Sequence, residues 1–263
     1  TANLPTPTIA DGSQYFDTKL FTGAGQGSST SVSGYSFGPD LVWTKSRAGA
    51  RSHALYDTVR GNNKKLYPNT ADSENSGSTI TFNSDGYSLA DGDDITYYGE
   101  SGVGWAWDAG SSTVTNTDGS ISAQVRANPT AGFSIVSFTA GSSGSLGHGL
   151  NTEPFVVIFK NRDTAGKWRF YHKDVGTSKT LFLNTNEAET SSSEYVTAVS
   201  SSTFTVTGTI SGDDHIAYCF APVAGYSAFG SYTGNGSNNG PFVHTGHRSR
   251  WIMIKRSDSA GNW

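Results

Sequence analysis

The run Pro39-Asp40-Leu41-Val42-Trp43-Thr44-Lys45-Ser46-Arg47 returns as Pro154-Phe155-Val156-Val157-Ile158-Phe159-Lys160-Asn161-Arg162, an offset of 115 residues. Self-similarity at a fixed spacing marks a repeated structural unit. At the same offset Tyr56 meets Tyr171, Gly61 meets Gly176 and Glu74 meets Glu189. Lys64-Lys65-Leu66-Tyr67-Pro68-Asn69-Thr70 likewise meets Lys179-Thr180-Leu181-Phe182-Leu183-Asn184-Thr185. So many matches in one register do not arise from shared composition. Outward from there, with small insertions, Phe16–Gly23 resembles Phe133–Thr139, and Val103-Gly104-Trp105-Ala106-Trp107 parallels Ile216-Ala217-Tyr218-Cys219-Phe220.

A third start follows. Tyr232-Thr233-Gly234 echoes the Phe21 segment, and Trp251-Ile252-Met253-Ile254-Lys255-Arg256 echoes the segments around Lys45 and Lys160. Lys160 and Lys255 each precede a tryptophan by eight residues, Trp168 and Trp263. The third copy thus reaches about its middle. Half a unit leaves strand edges unpaired and apolar faces open, so the expectation is that the natural chain continues past Trp263, or that another chain completes the unit.

Alternation assigns the strands. Leu41, Trp43 and Lys45 share one face and Val42 and Thr44 the other, whereas Val156–Phe159 is apolar on both faces, as in a central buried strand. Thr79–Phe82, the turn pair Asp85-Gly86 and Tyr87–Leu89 read as a hairpin. Turn residues every 8–12 positions point to an all-β fold of tandem sandwich or jelly-roll-like repeat units with little helix. The helix candidates, Ser52–Arg60 and Glu187–Tyr195, amount to one or two turns each. The expected organisation is an extended N-terminal leader at 1–15, stiffened by Pro5 and Pro7, and a first unit at 16–109. A Ser/Thr/Asn/Gly-rich linker or crossover follows at 110–130, then a second unit at 131–225 and the start of a third at 226–263.

Composition bounds the function. Hydrophobic residues are 35% and aromatic ones 12%, enough for a core, while charged residues are only 15%. A net charge of −4 lacks the basic excess that phosphate neutralisation demands, which argues against duplex nucleic acid as a partner. No run approaches the roughly 18 apolar residues of a membrane span. The single cysteine, Cys219, forms no internal disulfide, so stability has to come from burial and assembly.

Each candidate site has a plainer structural reading. Trp105 and Trp107, two apart on one strand face, have the spacing of a sugar-stacking platform. Tyr218 and Phe220 keep that spacing in the second copy with changed chemistry, which is what core packing requires. Asp91-Gly92-Asp93-Asp94 and Asp213-Asp214 are acidic turns without the ligand spacing of a calcium loop, and read as solvated turns. His244-x-x-His247 lacks a third nearby zinc ligand, and only convergence at a trimer axis would supply one. The repeated Lys45/Arg47, Lys160/Arg162 and Lys255/Arg256 groups suggest structural ion pairs with Asp57, Glu74 and their equivalents. At a surface these contribute about 0–1 kcal/mol. Gly141-Ser142-Ser143-Gly144 belongs to a low-complexity loop, not a nucleophile elbow, and no twin-carboxylate cleft stands out. No catalytic residue, metal or cofactor is expected, and no ligand-binding residue is assigned.

Several motifs together resemble a known family. These are Phe-x-Thr-x-Leu-Phe-Thr-Gly (16–23), Pro-Asp-Leu-Val-Trp-x-Lys-x-Arg (39–47), His-x-Leu-Tyr-Asp-x-Val-Arg-Gly (53–61), Asn-Thr-x-x-x-Glu (69–74) and Phe-x-Ser-Asp-Gly-Tyr-x-Leu (82–89). They are similar to the repeats of virion structural proteins of marine tailed bacteriophages, cyanophages included. Asn116–Ile121, Ala131–Val136, Gly147–Leu150 and Tyr226–Gly236 extend the resemblance over roughly 16–263. It implies a virion location in a tail fibre or appendage, other virion proteins as partners, a homotrimer, attachment to a host-surface glycan or protein, and no membrane insertion. A capsid decoration protein of the same fold and a polysaccharide depolymerase are the alternatives. The resemblance carries no catalytic residues.

Overall fold

The computed structural model describes residues 6–25, 27–77, 79–90, 96, 99–191 and 195–263. The fold is all-β and sandwich-like, with antiparallel sheets. The first unit contains β1 (Phe16–Thr22), β2 (Thr30–Ser33), β3 (Leu41–Ser46), β4 (Ala54–Asp57), β5 (Ile80–Asn83), β6 (Gly86–Leu89) and β7 (Ser101–Trp107). They form one sheet of order β1-β7-β3-β4 and a second of order β2-β6-β5. After β8 (Thr113–Asn116) and β9 (Ala123–Asn128) come β10 (Phe133–Thr139), β11 (Ser143–Gly147), β12 (Val156–Asn161), β13 (Arg169–His172), β14 (Leu181–Phe182), β15 (Tyr195–Val199), β16 (Thr203–Thr207) and β17 (Asp214–Phe220). Their sheets run β14-β13-β12-β17-β10-β9-β8 and β11-β16-β15. Substituting β10, β17, β12 and β13 for β1, β7, β3 and β4, and β11, β16 and β15 for β2, β6 and β5, superposes one connectivity on the other. Register agrees too: Leu41 faces Trp107 and Trp43 faces Trp105, as Val156 faces Phe220 and Ile158 faces Tyr218.

Three apolar cores result. Phe21, Val32, Val42, Tyr56, Ile80, Tyr87 and Leu89 fill the space between the two sheets of the first unit. Val125, Val136, Val157, Phe159, Phe204, Val206 and Cys219 do so in the second. The third core belongs to neither sandwich alone. Leu41, Leu55, Leu66 and Trp107 of the first unit meet Phe133, Ile158, Trp168, Phe170 and Tyr218 of the second, with Trp251, Met253 and Trp263 packed against them. This explains why Val156–Phe159 is apolar on both faces: Val157 and Phe159 line the sandwich, while Val156 and Ile158 line the seam between units.

Three local expectations need correction. Residues 110–130 are not simply a connection: β8 and β9 pair with each other, and β9 extends the second unit's large sheet through β10. Ala123 and Val125 are buried while Gln124 is exposed, a period of two hidden in a polar stretch. Within Ser52–Arg60, Ala54–Asp57 is strand β4 on β3, because all four residues are buried against a sheet rather than along one helical stripe. Glu187–Tyr195 lies partly outside the described residues, and Tyr195 opens β15. Among the described residues the only helical element is a 3-10 turn, Gly12–Gln14, and no helix is long and apolar enough to cross a membrane. Residues 226–263 form no strand among the described residues; Trp251–Arg256 alternates between half-buried and exposed, where its counterparts in β3 and β12 are mostly buried. The leader is held where Thr8 N–H donates to the Ala224 carbonyl at 3.0 Å and Ile9 is buried.

Candidate functional site: the seam between units

The seam begins with a turn. After β4 the chain reverses at Thr58–Arg60, where Asp57 Oδ1 accepts from the backbone N–H groups of Val59 (3.1 Å) and Arg60 (2.8 Å). That side-chain capping of a turn is common for aspartate. It also aims Arg60 inward. Arg60 Nε lies 2.5 Å from Asp57 Oδ2, its Nη1 3.1 Å from Glu74 Oε2, and its Nη2 donates to the Leu55 carbonyl at 3.0 Å. Both Arg60 and Asp57 side chains are fully shielded from solvent. Across the seam, the Tyr218 hydroxyl donates to Asp57 Oδ2 at 2.7 Å. Arg162 grips Glu74 with two bonds of 2.9 Å, Nε to Oε2 and Nη2 to Oε1.

A buried guanidinium is costly unless its donors are matched by acceptors. Burial works to lower the Arg60 pKa, but the charge of Asp57 leads a set of acceptors that outweighs it and holds the cation charged. Burial likewise works to raise the Glu74 carboxyl, yet the Arg162 hydrogen bonds and both arginine charges leave it below its ordinary value. Burial, first, drives the Tyr218 hydroxyl well above its usual range. The network favours fixed charges and a fixed phenol over proton exchange.

Backbone contacts reinforce it. Glu74 N–H donates to the Arg162 carbonyl (2.8 Å), Gly166 N–H to the Ala71 carbonyl (2.7 Å), and Trp168 Nε1–H to the Tyr67 carbonyl (3.0 Å). The C-terminal segment repeats all three on the second unit. Glu189 N–H donates to the Ser257 carbonyl (2.8 Å), Gly261 N–H to the Asn186 carbonyl (2.7 Å), and Trp263 Nε1–H to the Phe182 carbonyl (2.8 Å). The receiving residues shift by 115 positions and the arriving ones by 95, the offsets that relate the copies in sequence. One docking mode is used twice.

The other candidates fall into place around the seam. Trp107 is buried, with ring centroids 4.9 Å from Phe16 and 5.6 Å from Trp251; half-buried Trp105 stands edge-on to Trp43 at 6.2 Å. Lys45 and Lys160 instead reach backbone carbonyls. Lys45 Nζ donates to the Ser46 and Gly49 carbonyls, and Lys160 Nζ to those of Asn161 and Thr164, pinning the same loop in each unit. Lys255 donates to the Asn186 and Gly261 carbonyls instead. The expected arginine–Glu74 pair does form, but between units and largely buried, so a surface-pair magnitude does not apply to it. Arg47, at the matching position of the first unit, is exposed.

Asp213 accepts from Asn161 Nδ2 and Thr164 Oγ1, both at 2.7 Å; these bonds, that of Asn161 first, lower its pKa. Asp91-Gly92-Asp93-Asp94 lies outside the described residues. His247 Nδ1 sits 2.9 Å from the Thr245 carbonyl, and His244 is beside Phe242. Among the described residues no group of three or more His, Cys, Asp or Glu is placed to hold a metal ion. Cys219 is buried in the second sandwich, and burial pushes its thiol up to about 12.

Sequence reading points to an arginine pair at Glu74 but not to Arg162 reaching it from the other unit, across 88 residues and between non-equivalent positions of two copies. It missed Tyr218 as a donor because the second copy's aromatic strand reads as plain core.

No curated protein and no solved structure matches this chain. A family match covers residues 11–263, nearly the whole sequence, and so takes in both units and the C-terminal segment together. The chain belongs to the family described as a domain of unknown function, DUF7483.

Proposed function

We propose that this protein is a non-catalytic structural component of a tailed-phage virion, of tail-fibre or appendage type, that contributes to attachment at a host-surface glycan. The observation that carries the structural class is the seam. Glu74 pairs with Arg162 and Asp57 accepts from Tyr218 across the units, while Arg60 holds both carboxylates from within the first. Docking used twice with the same three hydrogen bonds is how a chain builds a larger body from one repeated unit. The virion setting rests on the resemblance of the repeat motifs at 16–23, 39–47, 53–61, 69–74 and 82–89. Homotrimeric assembly with other virion proteins belongs to the same reading.

The test is electron microscopy of intact particles labelled with gold-coupled antibody against this chain. Gold on tail fibres or the tail tip is the expected result, and gold distributed over the capsid would replace attachment with decoration. Release of reducing sugar from host polysaccharide by the purified chain would overturn the non-catalytic reading.

A further inference from the structure

The three copies of the Lys45-type strand converge. Leu41, Val156 and Trp251 occupy equivalent positions, as do Trp43, Ile158 and Met253, and all six belong to or pack against the shared core. The C-terminal segment touches both units: Trp251 lies 6.4 Å from Trp43 and 5.6 Å from Trp107, and Arg250 lies 2.9 Å from Asp17, while Trp263 reaches Phe170 at 4.6 Å. First unit, second unit and segment thus stand around one centre, each touching the other two.

The opposite face of these strands is treated unequally. Val42, Val157 and Phe159 are 0–1% exposed under the second sheet of their sandwich, whereas Ile252 and Ile254 are 69% and 52% exposed. At the other end of the ring, the first unit's loop 47–53 matches the second unit's docking loop 162–168. Arg47 stands where Arg162 grips Glu74, and His53 stands where Trp168 donates to Tyr67. Trp43 Nε1–H donates to His53 Nδ1 at 2.9 Å, which sets the neutral ring with its proton on Nε2, an N–H donor like that of Trp168.

We propose that the Ile252/Ile254 face and the Arg47–His53 loop are two ends of one docking surface, built for a polypeptide carrying the second half of this repeat. That occupant is a Lys-x-Leu-aromatic-x-Asn-Thr-x-x-x-Glu segment followed by strands of the β15–β17 type. Its glutamate takes the Arg47 guanidinium as Glu74 takes Arg162. Its carbonyl after the leucine accepts from His53, and its small sheet covers Ile252 and Ile254. The ring then closes with pseudo-three-fold symmetry around the shared core. This surface is independent of where the protein works.

The experiment repeats residues 169–225 directly after Trp263, since Trp168 and Trp263 are counterparts, with the copied Cys219 changed to Ala, and reports on the surface through Ile254→Cys. Cys219 is buried, so the new thiol dominates labelling by a maleimide. In the 263-residue chain labelling is fast and independent of protein concentration. In the extended chain it falls at least tenfold, and Arg47→Glu, a change at an exposed residue, restores much of the rate. Equal labelling rates in the two chains would overturn the proposal. Slow labelling of the unextended chain that tracks a dimer mass would overturn it too, by making a second copy the occupant.

Discussion

Arg162 of the second unit holds Glu74 of the first in a two-pronged ion pair, 2.9 Å on each side, and Glu74 in turn holds the buried Arg60 of its own unit. The two sandwiches are therefore joined by charge as well as by an apolar core. The consequences can be measured.

Arg60 carries the greatest risk. Arg60→Met removes the cation between Asp57 and Glu74 and leaves the fully buried Asp57 carboxylate to the neutral donors beside it, the Tyr218 hydroxyl and the turn's N–H groups. Breaking one side of a buried pair costs about 3–5 kcal/mol. Urea unfolding of the variant shows a loss of that size, and a loss below about 1 kcal/mol would contradict the network's role.

Trp168 and Trp263 make the same bond in different surroundings. Trp168→Phe keeps the ring and removes the donor to the Tyr67 carbonyl, at a cost of about 1 kcal/mol. Trp168→Ala empties a fully buried site and costs about 3–5 kcal/mol. Trp263→Ala, at a half-buried position, costs clearly less. Equal losses at Trp168 and Trp263 in denaturant titrations would contradict the placement of the core.

Gly86 has no room for a side chain. A Cβ there would lie 2.0 Å from the Val32 carbonyl oxygen and 2.8 Å from the Ser33 Cα, both backbone atoms of the paired strand β2. Gly86→Ala must push β2 and β6 apart. It lowers stability by about 1–3 kcal/mol or more, read as a fall in Tm.

Acid acts through buried histidine. Burial, aided by the charge of Lys45, pushes His53 down to about 4 from its ordinary 6.5, and burial also lowers His148, His172 and His215. The unfolded chain takes up these protons near pH 6.5 while the fold resists. The stability they confer is full above pH 6.5 and is lost as pH falls toward 4, at no more than ~1.4 kcal/mol per pH unit per group. Asp40 opposes them, because burial raises its carboxyl to about 6 despite Arg126 at 2.7 Å, so the fold gains as Asp40 protonates. Stability measured from pH 7 to 4.5 therefore slopes less steeply in His53→Gln and more steeply in Asp40→Asn. Unchanged slopes would contradict both assignments.

Much of this fold is visible in two neighbouring offsets, 115 residues from Leu41 to Val156 and 113 from Trp107 to Phe220. The strand pairs β3/β12 and β7/β17 carry large aromatic and β-branched residues, and their copies align without gaps. Ala123-Gln-Val125 was hidden because its alternation uses one valine among polar neighbours, too weak a signal beside the surrounding Ser, Thr and Asn. Ala54–Asp57 read as a helical turn because four consecutive buried residues have no strand period; a sandwich core on one face and a seam on the other supply the reason. At the site, repetition singled out Lys45, Lys160, Arg162 and Glu74. Repetition pairs equivalent residues, however, and the seam pairs non-equivalent ones, so only three-dimensional placement reveals that Arg162 answers to Glu74.

Calorimetry of the whole chain tests the joined-sandwich account most directly. A core shared by Leu41, Leu66, Ile158 and Trp168 predicts one unfolding transition, with calorimetric and van't Hoff enthalpies equal and the whole transition lowered by Trp168→Ala. Two resolved transitions, one of them unmoved by that substitution, would show two sandwiches that merely sit on one chain.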